Sequence, residues 1–298
     1  MTANVEVSSQ PPLPKPRSVA DSLVSEGDIP GAITEFRKIY SKDPGNQRNV
    51  YNFACALSIN RQFDSCLKYL NIAVRLDTSI SAFTDPDLLP FRETKLWQDF
   101  ENKLISMLNI KNRNPFKDIE YAKALWKLMA RDQAYFNEIF IAGRKIGMKS
   151  SVVEALFKLK SMFSENNQKE LEELITKKGW PRNSEVGPVA AGAAFYVIQH
   201  SDAEKQEKYL PMLRQRCEEK ESNWQHYAMM YDRMKVLRNL PQKYGTQPVL
   251  NNENTGLYEL APLENESKVN EWRKEVGLPP LEKYLTQPGI KDQPKKNQ

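Results

Sequence analysis

Long hydrophobic runs are missing from this sequence, and their absence excludes a membrane-spanning helix. Hydrophobic residues make up 40% of the 298 residues and charged residues 27%, and no apolar stretch approaches the roughly 20 residues that cross a bilayer. The first residues contain neither a basic start nor an apolar stretch, so they do not form a secretory signal. We therefore expect a cytoplasmic protein that does not bind a membrane.

Cysteine and histidine are scarce, which limits disulfide and metal chemistry. The chain has three cysteines, Cys55, Cys66 and Cys217, and two histidines. An odd number of cysteines argues against a disulfide framework and fits a reducing compartment. The cysteines and histidines do not have the spacing of a zinc site. We expect no metal and no cofactor.

Motifs for nucleotides and nucleic acids are also missing. The net charge is +5, but Lys and Arg alternate with Glu and Asp along the predicted helices and form no basic stripe. The turn 242–247 lacks the Gly-Lys-Ser/Thr ending of a phosphate loop and follows a predicted helix instead of a strand. The chain also has no Gly-x-Ser-x-Gly motif. We expect no nucleic-acid binding.

A repeat is present in the N-terminal third of the chain. Small and large apolar residues recur after 34 positions, which is the period of a tetratricopeptide repeat. The sequence resembles such a module, and the resemblance implies paired helices with a groove that binds a protein or peptide partner. The matching pairs are Ala20 with Ala54, Leu23 with Leu57, Ala32 with Cys66, Phe36 with Leu70, and Ile39 with Ala73.

The remaining patterns are mostly helical and predict an all-α fold with at most a small β-hairpin. In the segment 85–108, Trp97, Phe100, Leu104 and Leu108 recur at helical spacing and would cap the repeats. The hairpin would join 248–250 to 257–260. We predict a disordered arm at 1–16, tetratricopeptide-like repeats with a capping helix at 17–108, a linker at 109–116, a helical domain at 117–285 and a loose tail at 286–298.

Several polar residues of the predicted helical domain stand at apolar positions. Gln133 follows Trp126 and Met129 by seven and four residues, and Gln206 precedes Leu210 by four, so each amide turns to an apolar helix face. Asp232 and Arg233 occupy a helix that is apolar on most sides. A buried polar group must be hydrogen-bonded, because an unpaired one costs about 1 to 3 kcal/mol.

Two interpretations of these polar groups remain open. In the first, they pair with one another and fix helix packing. In the second, they line a ligand pocket, with His200 as acid or base, Asp232 as its orienter or a second base, and Arg233 as an anion clamp. The ligand-binding candidates are Gln133, Gln206, Gln242, Tyr244 and Gln247.

These residues also carry a resemblance to an uncharacterised bacterial domain of unknown function. The shared features include Asp132-Gln133, Gly179-Trp180-Pro181, Gln199-His200 with Gln206, Asp232-Arg233, the run Gln242-x-Tyr244-Gly245-Thr246-Gln247, and Arg273 with Gly277-Leu278-Pro279. The resemblance covers about 117–285. The sequence departs from the pattern at 263–265, where Leu-Glu-Asn replaces the usual acidic residue after a proline. The resemblance implies an outline of the domain and no activity.

Two functions are compatible with these patterns. The first is an interaction protein that binds a partner through the tetratricopeptide-like groove and a small polar ligand in the second domain. The alternative is an intracellular hydrolase or transferase that uses His200, Asp232 and Arg233. The sequence leaves open whether the chain is an enzyme.

Overall fold

The computed structural model describes residues 18–252 and 257–286. The predicted arm at 1–16 and all but the first residue of the predicted tail lie outside the described residues. The α-helices are α1 (Val19–Glu26), α2 (Ile29–Lys42), α3 (Gln47–Ile59), α4 (Phe63–Leu76), α5 (Leu89–Arg92), α6 (Lys95–Asn112), α7 (Ile119–Asp132), α8 (Phe136–Ile146), α9 (Ser151–Lys178), α10 (Asn183–Val186), α11 (Pro188–Gln199), α12 (Ala203–Glu218), α13 (Trp224–Leu237), α14 (Val269–Glu275) and α15 (Leu281–Leu285).

The strands confirm the predicted hairpin. The strands β1 (Pro248–Asn252) and β2 (Leu257–Leu260) pair antiparallel, with Pro248 opposite Leu260. The prediction of an all-α fold with one small hairpin is therefore confirmed for the described part of the chain. Among the helices described, none is both long enough and apolar enough to cross a membrane.

The chain divides into two compact units, one comprising Pro14–Ala193 and the other built around Ala194–Gln298. We call their described parts the N-terminal unit (18–193) and the C-terminal unit (194–252 and 257–286). Helix α6 continues to Asn112, four residues into the segment predicted as a linker. The predicted domain boundary at 109–116 stays a prediction.

The same turn closes the helix pairs α1–α2 and α3–α4 of the N-terminal unit. Asp28 N donates to Leu23 O at 2.9 Å, and 34 positions later Gln62 N donates to Leu57 O at 2.9 Å. The residue before each donor is left-handed, with φ of 80° in the first turn and 57° in the second. Such a bond is typical of a Schellman helix ending. The sequence period is therefore also a period of the backbone.

The 34-residue offset continues into the segment that the sequence predicts as a cap. Leu88, Phe91, Phe100 and Leu104 stand 34 positions after Ala54, Leu57, Cys66 and Leu70, and all eight are buried. The later side chain is thus larger at three of the four positions. This change suits a terminal element, because it fills the open end of a helix stack.

Trp126 of α7 packs against two aromatic rings of the N-terminal unit. Its ring stacks on Phe83 at 4.3 Å and meets Phe116 edge-on at 5.0 Å. Tyr121, on the same helix, donates through its hydroxyl to Gly179 O at 2.8 Å, just after the end of α9. This hydrogen bond links α7 to the end of α9 within this unit.

The C-terminal unit has two small apolar clusters at the loop 242–247. One cluster is formed by Ala228, Tyr244 and Val276. The other is formed by Leu260, Val269 and Leu281. The loop therefore leaves α13 and crosses a buried region before it enters β1, so its backbone polar groups need partners inside the protein.

Candidate functional site

Helix α13 places the carboxylate of Asp232 beneath the loop 242–247. The side chain is fully buried. It accepts hydrogen bonds from Lys243 N at 2.9 Å, Tyr244 N at 3.0 Å and Thr246 N at 3.0 Å. The Thr246 hydroxyl donates to it at 2.9 Å. Asp232 thus satisfies backbone groups that the loop could not satisfy within itself.

The surroundings of Asp232 act on its pKa in two directions. Burial raises the pKa to about 6, and the hydrogen bonds from Tyr244, Thr246 and Lys243 oppose that rise. At neutral pH the group is therefore ionised. Its two oxygens are occupied by the loop, so the arrangement is that of a structural anchor.

The amide of Gln242 closes the loop on itself. Its Nε2 donates to Gln247 O and to Ala261 O, each at 2.9 Å, and its Oε1 accepts from Gln247 N at 2.9 Å. Gln242 has no exposed surface. All three described hydrogen bonds of its amide go to the protein backbone. The ligand-binding role of Gln242 stays a prediction.

Arg273 of α14 holds the carbonyl side of the same loop. Its Nη1 donates to Tyr244 O at 2.7 Å and Gly245 O at 3.1 Å, and its Nε donates to Pro279 O at 2.6 Å. The side chain is only 1% exposed. A carboxylate therefore binds the amides of the loop while a guanidinium binds its carbonyls. Arg273 belongs to the sequence pattern of the family, but that pattern predicts no role for it.

Arg233, the next residue on α13, lacks the hydrogen-bond partners that Asp232 has. Arg233 is 9% exposed, and within the described structure its Nε and Nη1 have no hydrogen-bond partner. Burial lowers the pKa of Arg233 to about 10, so the side chain still carries its charge at neutral pH. Asp232 does not serve as its counter-ion, because the hydrogen bonds of that carboxylate within the described structure all go to the loop.

Three glutamines of the C-terminal unit also keep unpaired atoms. The atoms without a partner in the described structure are Gln199 Nε2 and Oε1, Gln206 Oε1, and Gln247 Oε1. All three residues are at most 3% exposed. Gln206 is fixed at its other end, because its Nε2 donates to Gln199 O at 3.2 Å and Ser201 O at 2.9 Å.

The structure brings some of the predicted site residues together and leaves others elsewhere. Asp232, Gln242, Tyr244 and Gln247 belong to one network at the loop. His200 lies half-buried in the turn after α11. Gln133 belongs to the N-terminal unit, where its amide donates to Asp132 Oδ2 at 2.8 Å.

The second histidine, His226, is half-buried and packs against an aromatic ring of the C-terminal unit. Its ring stacks on Phe195 of α11 at 4.2 Å with an interplanar angle of 2°. Burial lowers the pKa of His226 to about 4. The imidazole is therefore neutral at physiological pH and holds α11 against α13.

The N-terminal unit contains a second polar cluster, which the sequence analysis did not find. The Sγ atom of Cys55 and one carboxylate oxygen each of Asp85 and Asp87 all lie within 4.8 Å of one another. Asp85 Oδ2 accepts from the Tyr51 hydroxyl at 2.7 Å and from Cys55 Sγ at 3.6 Å. Burial and the neighbouring Asp85 and Glu138 carboxylates raise the pKa of Asp87 to about 8.

This cluster lies in a cavity of about 150 Å³. The lining residues are Asp21, Val24, Phe36, Asn52, Cys55, Ala56, Ile59, Asp85 and Asp87. The cluster could not be found by motif spacing, because Cys55 is on α3 and its acidic neighbours follow about 30 positions later.

Residues 121–289 match the model of a family of unknown function, DUF6624. The match includes the loop 242–247, Asp232, Arg233 and Arg273, and it begins four residues after the predicted start of the second domain. The predicted resemblance to a domain of unknown function is confirmed, while the tetratricopeptide module and the signature motif stay predictions. No curated protein and no solved structure gives a match.

Proposed function

This chain belongs to the DUF6624 family of unknown function, and we propose that it is an interaction protein. In this proposal the tetratricopeptide-like repeats bind a segment of a partner protein in a groove along α1 and α3. The observation that carries the proposal is the 150 Å³ cavity with its mixed apolar and acidic lining. Three buried free cysteines support a reducing, cytoplasmic location.

The lining of the cavity supports a groove for a chain segment. Asp21 and Val24 come from α1, the first helix of the first pair, and four lining residues come from α3, the first helix of the second pair. In stacked helix pairs, the first helices line the inner surface that partners occupy. Apolar side chains beside polar ones suit a peptide, which needs both burial and hydrogen bonds.

The charges of the groove indicate which partner would fit. Asp21 forms an ion pair with Arg48 Nη2 at 3.4 Å and accepts a hydrogen bond from Asn52 Nδ2 at 3.0 Å. Asp85 accepts hydrogen bonds from neutral groups, and Asp87 forms no ion pair among the described residues. Burial raises the pKa of Asp85 and of Asp87, so these two groups take up negative charge most readily when a cation lies beside them. A Lys or Arg side chain of a partner segment would supply that cation.

A peptide selection tests this proposal. We would select peptides from a random 12-residue library against the full chain and measure the affinity of the enriched ones by fluorescence anisotropy. The expected result is enrichment of peptides with Lys or Arg, and binding that Asp87→Asn weakens by about tenfold, since a charge-assisted hydrogen bond is lost. The control variant is Asp99→Asn, an exposed acid of α6 outside the cavity.

Two results would count against the groove. Either no peptide is enriched above background, or the enriched peptides bind the Asp87→Asn and Asp99→Asn variants with equal affinity. Added salt should weaken the binding of a basic peptide, because the attraction is partly long-range.

The alternative proposal is an intracellular hydrolase or transferase that uses His200, Asp232 and Arg233. The charged guanidinium of Arg233, two of whose nitrogens have no partner within the described structure, supports it. The four donor groups on the Asp232 carboxylate weigh against a role for that group as a base. An activity that survives Asp232→Asn in a folded protein would assign the chemistry to other residues.

A further inference from the structure

We propose that the C-terminal unit binds a small organic anion through Arg233, and that Gln199, Gln206 and Gln247 bind the rest of the ligand. This site is separate from the groove of the N-terminal unit, and it does not depend on the proposed interaction function. It would take a ligand that combines a carboxylate or phosphate group with N–H or O–H donors.

Arg233 supplies the first argument. The guanidinium is nine-tenths buried and charged, and two of its nitrogens lack a partner within the described structure. A buried cation without a counter-ion is among the least favourable arrangements in a folded protein. Its closest acidic neighbour in sequence, Asp232, is occupied by the loop. An anion that binds here would be stabilised more strongly than at an exposed arginine.

The glutamines supply an independent argument. Three buried amide oxygens and one amide nitrogen lack partners in the described part of the chain. Buried polar groups in native proteins are nearly always hydrogen-bonded, and exceptions mark places where water or a ligand binds. Because oxygens predominate among these atoms, the missing partner must provide hydrogen-bond donors as well as the negative charge for Arg233.

Contacts around α13 place Gln247 and Gln206 beside the helix that carries Arg233. Gln247 Nε2 lies 3.5 Å from Met229 O, one helical turn before Arg233. Glu207, at the start of α12, pairs with Arg238, near the end of α13. Gln206 therefore lies on the part of α12 that meets the second half of α13, and its amide reaches Gln199 O.

The chemistry of the donors and acceptors defines the ligand class. A guanidinium binds carboxylate and phosphate oxygens with more than one N–H group. Amide oxygens bind ammonium, amide or hydroxyl groups. Small amino acids, hydroxy acids and phosphorylated polar compounds share this combination.

Anion-dependent unfolding of the full chain tests the proposal. The probes are inorganic phosphate and acetate, titrated at constant ionic strength against chloride. We expect a saturable rise of the unfolding midpoint in the wild-type protein with at least one probe. Arg233→Met should abolish this rise. Arg233→Lys should weaken the binding of the anion by about tenfold, because lysine keeps the charge but lacks the planar arrangement of donors.

The control is Arg214→Met, which removes an exposed arginine of α12 that pairs with Glu218. It should leave the anion dependence unchanged. Without anions, Arg233→Met should be at least as stable as the wild-type protein, since it removes an unpaired buried charge.

Three outcomes would overturn the proposal. The first is that neither phosphate nor acetate produces a saturable rise of the unfolding midpoint. The second is an anion dependence that Arg233→Met and Arg233→Lys both retain. The third is a strong destabilisation or loss of folding in anion-free Arg233→Met, which would show that Arg233 has a structural partner. The groove proposal is unaffected by any of these results, because it concerns the other unit.

Discussion

Replacing Asp232 by alanine would remove the acceptor that organises the loop 242–247. Three backbone N–H groups and the hydroxyl of Thr246 would lose their partner in a buried place. An unsatisfied buried donor costs about 1 to 3 kcal/mol, and water that enters the new space reduces this cost to the lower end. Four donors at about 1 kcal/mol each give a loss of about 4 kcal/mol.

The companion variant Thr246→Val removes only the hydroxyl and keeps the backbone donor. Its expected loss is therefore about 1 kcal/mol, a quarter of that for Asp232→Ala. Glu271→Ala is the control, since Glu271 is an exposed acid of the same unit and should change stability by less than about 0.5 kcal/mol.

Equilibrium unfolding in urea measures the free-energy change, and hydrogen exchange locates it. The amides of Lys243, Tyr244 and Thr246 should lose protection in Asp232→Ala, while amides in the N-terminal unit keep theirs. A loss below about 1 kcal/mol with unchanged protection of the three amides would refute the anchoring role of Asp232.

Two further predictions concern the core of the C-terminal unit. Because burial lowers the pKa of His226 to about 4, the wild-type protein should lose about 3 kcal/mol relative to His226→Phe as the pH falls from about 6.5 to 4. Urea unfolding at several pH values measures this difference, and equal pH profiles for the two proteins would contradict it. Gly245→Ala should cost more than about 1 kcal/mol, because φ is +65° and the new methyl group would lie 3.0 Å from Leu281 Cδ1. Thermal unfolding measures that loss, and an unchanged midpoint would contradict the backbone geometry.

The repetitive part of the fold could be predicted from the sequence because its signals are local. The pairs Ala20 with Ala54 and Leu23 with Leu57 are spaced by one period, and the turn hydrogen bonds follow the same period. The hairpin was predictable for a similar reason, since two short apolar segments flank a polar turn. These elements are determined by residues close together in the chain.

The candidate sites were predictable only in part. The sequence indicates that Asp232 and Arg233 are buried, but it does not indicate their partners. Asp232 pairs with backbone groups 11 to 14 positions later, while Arg233 has unpaired nitrogens. Which of two adjacent charges is satisfied depends on the path of a loop, and that path is determined by tertiary packing.

The roles of Arg273 and of the acidic cavity were missed for the same physical reason. Arg273 binds carbonyls 28 and 29 positions earlier in the chain. Cys55 meets Asp85 across 30 positions. Neither pairing has a spacing motif, because the contacts arise from the packing of separate elements.

In the C-terminal unit, the buried carboxylate of Asp232 is fully hydrogen-bonded to the loop 242–247. The buried guanidinium of Arg233 has two nitrogens without a partner in the described structure. The most direct test is a two-dimensional nitrogen–proton spectrum of the full chain during a phosphate titration. We predict a saturable shift of the Arg233 Nε–H resonance, while the amide resonances of Lys243, Tyr244 and Thr246 stay in place. An unmoved Arg233 resonance, or shifts confined to the three loop amides, would contradict this division.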